Sequence, residues 1–156
     1  MLRQEHSNWC WAAVAQCCAG VLKTAGRVWP QCLIANAVLQ RADCCDTTGD
    51  DIDVVSTLPP ALGAVGCRTA EIDGAAPFAE IRRHIDAGQP LAVRFEWQDG
   101  RSGAHFFVID GYEGGPDPKV HILDSFYGPT RGVSYAELSR RYLGHTGRWS
   151  DTFLVT

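Results

Sequence analysis

The hydrophobic period of this chain changes near residue 89, and that change limits the fold more than any other feature of the sequence. After it, the apolar residues alternate or run continuously, as strands require. "PLAVRFEW" (90–97) alternates and is rich in strand formers, and "HFFVIDGYE" (105–113) is a buried apolar strand. "GGPDP" is turn chemistry, and "KVHILDS" (119–125) returns as the antiparallel partner. Before the change, the spacing is helical. Ser7 or Asn8 is placed to cap a helix with the body "CWAAVAQCCAGVLKTAG" (10–26), which Gly26 ends. Pro30 opens a second helix, "PQCLIANAVLQ" (30–40), and "RADCCDTTGDD" (41–51) is a loop. "DIDVVSTL" (51–58) begins a short helix that Pro59 and Pro60 stop or restart, and "PFAEIRRHIDAG" (77–88) is a helix from Pro77 to Gly88. Towards the end, "SYAELSRRYL" (134–143) reads as an amphipathic helix and "DTFLVT" (151–156) as a closing strand. Helices first and antiparallel strands after make an α+β fold. At 156 residues and 46% hydrophobic content, the expectation is a single domain over 1–156.

A formal net charge of −4 argues against nucleic acid and anionic membranes as partners. No run approaches the 18 or so apolar residues of a membrane-spanning helix. The opening "MLRQEHSNW" lacks the apolar core of a signal peptide. The chain is then cytoplasmic, or exported by another route or by a signal since trimmed. All seven cysteines fall within the first 67 residues. One free thiol and three disulfides is the simplest arithmetic, and the adjacent pairs 17/18 and 44/45 favour such a framework. The alternative is a set of reduced, buried cysteines. Structural zinc is disfavoured, since it prefers CxxC-type spacing.

A cysteine nucleophile needs a thiolate, a base, an orienter for that base, and donors for the oxyanion. "QEHSNWCWAA" (4–13) puts Cys10 at a predicted helix start, where unpaired amides and the helix dipole favour a negative sulfur. Cys17 lies two turns on, within the helix body. Of the five histidines, His84 sits in a charged helix and reads as a surface residue. His121 faces solvent or core from a strand, His145 lies in a Gly-flanked loop, and His6 lines the cleft or the surface. His105 opens a strand directly after "DGRSGA" and is both rigid and accessible. Antiparallel pairing across the 114–118 turn brings Asp124 opposite His105, as an orienter for the imidazole. Trp9 and Trp11 read as packing.

The order Gln4, Cys10, His105, Asp124 resembles the papain-like cysteine peptidases. There a Gln precedes the Cys by six positions and the Cys is followed by Trp and small residues, as in Cys10-Trp11-Ala12-Ala13. The His strand is matched by "HFFVIDGY", and the orienter ahead of a Gly by "LDSFYG". "NWCWAA" is similar to a bacterial branch that includes secreted, cyclophilin-activated effector proteases. The resemblance implies a papain-like fold with a helical N-terminal half, an antiparallel C-terminal half and a cleft between them. It implies a monomeric endopeptidase acting on peptide or protein substrates, with no metal or cofactor. It implies an oxyanion hole made by the Gln4 side chain and the Cys10 N–H. Two departures stand out: the orienter is Asp where papain has Asn, and the chain is shorter than papain. An imidazolium carries protons on both nitrogens, so the expectation is that Nδ1–H donates to Asp124, that Asn in its place keeps much of the activity, and that Ala loses far more. Transglutaminase-type acyl transfer or deamidation, which uses the same Cys-His-Asp order, is one rival. An inactive module that binds peptides or proteins is the other.

Overall fold

A computed structural model describes residues 3–26, 28–100 and 103–156. Helices α1 (Cys10–Leu22), α2 (Gln31–Leu39) and α3 (Leu58–Ala64) precede strand β1 (Thr69–Asp73) and helix α4 (Phe78–Asp86). Strands β2 (Leu91–Trp97), β3 (Ala104–Glu113), β4 (Lys119–Leu123) and β5 (Thr130–Ser134) follow. A single turn, α5 (Tyr135–Leu138), then leads to β6 (Arg141–Tyr142) and β7 (His145–Val155). The strands form an antiparallel sheet in the order β1-β7-β2-β3-β4-β5, with β6 paired to β7. The architecture is α+β. α1, α2 and α3 pack with Ala92, Phe106, Val108 and Phe153 on one face of the sheet. Ile81, Phe95, Phe107, Ile109, Tyr142 and Trp149 form a second core on the other. Among the described residues, no helix is long and apolar enough to cross a membrane.

The sequence-level boundaries fail where side chains carry no strong period. α1 stops at Leu22, because Lys23 turns left-handed (φ 54°) and a 3-10 turn follows from Thr24 to Gly26. No helix forms over 51–57; α3 begins at Leu58 with the two prolines in its first turn, where a missing N–H costs nothing. β1 has mostly exposed side chains and so no alternating signal. The expected helix at 134–143 is only α5. The closing strand begins at His145, not Asp151, and so takes in the "loop" histidine.

The three-disulfide framework is not present. Cys32 bonds to Cys45, while Cys10, Cys17, Cys18, Cys44 and Cys67 are free. Adjacent cysteines on a helix point about 100° apart. Cys18 therefore enters the core while Cys17 stays half-buried. Denatured, unreduced protein should titrate five thiols, and reduction should raise this to seven; a single thiol before reduction would restore the expected framework.

Candidate active site

Cys10 is the first residue of α1 and is 8% exposed. The approach to it is held from outside the helix. No side chain caps α1 from Trp9, and the expected caps Ser7 and Asn8 do not play that part. Instead Asp53 accepts from the backbone N–H of Ser7 (3.2 Å) and of Asn8 (2.7 Å). The Trp9 and Trp11 indoles donate to the carbonyls of Ile52 (2.8 Å) and Val54 (3.1 Å). Both tryptophans are fully buried, so packing and anchoring are one role. Segment 52–54 is thereby stapled along the start of α1 and fixes the chain that leads into it.

His105 is the second residue of β3; Arg101 and Ser102 of the preceding "DGRSGA" segment lie outside the described residues. Asp124 follows the last residue of β4 and is 3% exposed. The expected direct pairing of 105 with 124 does not occur. β3 and β4 pair Val108 with Leu123 and Ile109 with Ile122, then Gly111 with His121. Asp110 is the extra residue of a bulge. Carried one step beyond β4, this register sets Asp124 opposite Phe107, diagonal to His105 on the same face. Without the bulge Asp124 would fall opposite Val108 and point to the other face, since a one-residue slip reverses every side chain. Gly111 is needed beside the bulge, where a Cβ would meet the His121 ring at 2.6 Å.

Asp124 Oδ2 lies 2.9 Å from His105 Nε2 and accepts from the Tyr142 hydroxyl at 2.9 Å. Asp124 Oδ1 accepts from the N–H groups of Phe126 (2.7 Å) and Tyr127 (2.8 Å). Burial alone would push this carboxyl up; the His105 bond and charge and the two amides outweigh it and hold the pKa below its usual value. An ionised carboxylate only accepts, so His105 donates through Nε2, not through Nδ1 as expected from the sequence. Burial likewise works against a charged ring at 105. The bonds to Asp124 and to Cys10 and the negative charge on both outweigh that and raise the imidazolium pKa to about 9. Trp97 lies nearly parallel to the His105 ring, with centroids 6.4 Å apart, and Tyr127 meets it edge-on at 5.9 Å.

Gln4 reaches the same cavity, which is also lined by Cys10, His105, Trp97 and Tyr127. Its Nε2 donates to the carbonyls of His6 (2.9 Å) and Ser7 (2.7 Å), and its Oε1 accepts from Ser125 Oγ at 3.0 Å. The Gln4 N–H donates to the Ser125 carbonyl, which ties the segment before Cys10 to the residue after Asp124. The structure thus brings all four sequence-selected residues to one place. Of the other histidines, His6 packs on Trp9, His121 bonds Glu113 and Arg131, and His145 bonds Asp99. His84 is buried, not a surface residue, because α4 turns it inward beneath its charged neighbours. Asp53 and Tyr142 carry no local signal in the sequence, since they act across 45 and 18 residues.

The family model described as "Peptidase_C39 like family" matches residues 1–149. No curated protein matches the chain.

Proposed function

Because the chain belongs to the Peptidase_C39-like family, a family of cysteine peptidases, we propose that it is a papain-like cysteine endopeptidase working through Cys10, His105 and Asp124. The observation that carries this is the buried His105–Asp124 pair, 2.9 Å apart, whose histidine lines the same cavity as a cysteine at a helix start. In this mechanism the Cys10 thiolate attacks the scissile carbonyl carbon. The oxyanion is met by the Cys10 N–H, one of the amides of a first turn that lack intrahelical partners, and by Gln4 Nε2 once a substrate competes for one of its two carbonyl partners. As the C–N bond breaks, His105 gives its proton to the leaving amine, and a thioester remains on Cys10. His105 then takes a proton from water, whose oxygen displaces the sulfur and releases the acid.

The cleft of this reading runs between α1, segment 55–58 and the start of β3. A second cavity of about 670 Å³ shares Val55 and Ala104 with it. Its floor is Leu58, Phe106 and Phe153, and Arg94 and Asp151 stand at its wall. An apolar floor of this size suits a bulky apolar side chain close to the scissile bond. Cleavage of a peptide library, with mass-spectrometric mapping of products, tests both statements. The expected result is cleavage with a strong apolar preference at one position, together with labelling of Cys10 by an epoxide inhibitor. Absence of cleavage and of labelling would overturn the enzyme; amine incorporation without cleavage would transfer the site to acyl exchange. The likeness of "NWCWAA" to effector proteases supports an exported role, which recovery of the protein solely from the cytosolic fraction of its source cells would remove.

A further inference from the structure

Tyr142 is 1% exposed and lies among Phe107, Phe95 and Trp97, its ring centroid 4.6 Å from that of Phe107. It is delivered there by a hairpin that pairs it with His145 across only two residues. Leu143 (φ 51°) and Gly144 (φ 81°) both have positive φ, as the tight type I′ turn requires. A leucine is strained in that region, where its Cβ crowds the following carbonyl oxygen. The fold accepts the strain beside the tyrosine whose hydroxyl reaches the Asp124 carboxylate. The hydroxyl ends on Oδ2, the oxygen that also faces His105.

We propose that Tyr142 is a positioning residue of this site: it fixes Asp124 Oδ2 against His105 Nε2 and, by sharing that oxygen, weakens the carboxylate's hold on the imidazolium proton. The proposal rests on the peptidase reading above. The physical basis is competition between donors. An oxygen that already accepts one hydrogen bond carries less negative potential towards a second, and the positive end of the Tyr142 O–H dipole also points towards the imidazolium. The phenol itself stays protonated, since burial first and the Asp124 charge second raise its pKa. Other titratable or charged groups facing the His105–Asp124 pair are Cys10 from α1 and Tyr127 from the loop after β4, with the His145–Asp99 pair beyond Trp97. None of these donates to Oδ2.

The test is the pH dependence of Cys10 alkylation by iodoacetamide, read at the Cys10 peptide by mass spectrometry. It needs no substrate. In the parent, the upper inflection of the profile reports loss of the imidazolium proton, expected near pH 9. Tyr142→Phe removes the competing donor and should move that inflection up by roughly half a unit to one unit. Replacing Tyr142 with 3,5-difluorotyrosine, a stronger donor of almost the same shape, should move it down. Opposite shifts support the proposal. An unmoved inflection in the fluorinated protein, or shifts of the same sign, overturn it while leaving the peptidase intact. A parent whose Cys10 alkylation profile shows no inflection from His105 removes the ion pair itself, and with it both readings.

Discussion

Asp124→Asn should lower kcat/KM by roughly 10³-fold or more, while the melting temperature moves little. Four donors converge on this side chain: two backbone amides on Oδ1, and His105 and Tyr142 on Oδ2. The Tyr142 hydroxyl can reverse its direction, and His105 Nε2 can become an acceptor by a change of tautomer; the two backbone amides can only donate. An asparagine has one acceptor oxygen where four donors meet two. If that oxygen stays with the amides, the NH2 group faces His105 and selects a neutral ring with Nε2 bare and the proton on Nδ1. That tautomer cannot take a proton from the thiol, the same fault that costs a serine triad about 10⁴-fold when its Asp is made Asn. If the amide flips, two part-buried N–H groups lose their acceptor, at up to about 1–3 kcal/mol each, so the first arrangement prevails. The alkaline limb of kcat/KM should also move to lower pH, because the imidazolium is now opposed rather than stabilised. Asp124→Ala, by contrast, should cost both activity and stability. The measurement is kcat/KM against pH with thermal unfolding for the three proteins; an Asn variant within tenfold of the parent would show that the charge is dispensable. The expectation from the sequence, that Asn keeps much of the activity because an imidazolium can donate to either an amide or a carboxylate oxygen, takes no account of the two amides and Tyr142.

Cys10→Ala should reduce turnover by roughly 10⁵-fold or more, the scale on which a covalent nucleophile is missed. The fold should survive. The side chain is small, it stands at the first position of α1, and the anchors of that region are Trp9, Trp11 and Asp53. A shift in melting temperature of a few degrees at most is expected, since truncation by one sulfur costs about 1 kcal/mol. The checks are single-turnover peptide cleavage and circular dichroism. A variant that cleaves normally would end the mechanism, and one that unfolds would give Cys10 a core role instead.

The parts of this protein that are legible in its sequence are those encoded within a few residues of each other. The helix start at Cys10, the β3–turn–β4 hairpin and the position of His105 near a strand opening all follow from period and turn chemistry, although the expected caps Ser7 and Asn8 do not cap the helix. Family likeness added Gln4, which no periodicity marks. The tertiary structure alone decided the rest. Asp124 faces His105 because of a single bulged residue, Asp110, and no propensity distinguishes that register from its neighbour one residue away. Cys32 finds Cys45 and not its other candidates because the loop after α2 returns there, a matter of chain path and not of cysteine count. Asp53 staples the approach to Cys10 from 45 residues away, and Tyr142 completes the carboxylate's shell from 18. Such contacts are settled by side-chain reach and sheet register once the whole core has formed, and the short-range preferences of the chain are equally compatible with their absence.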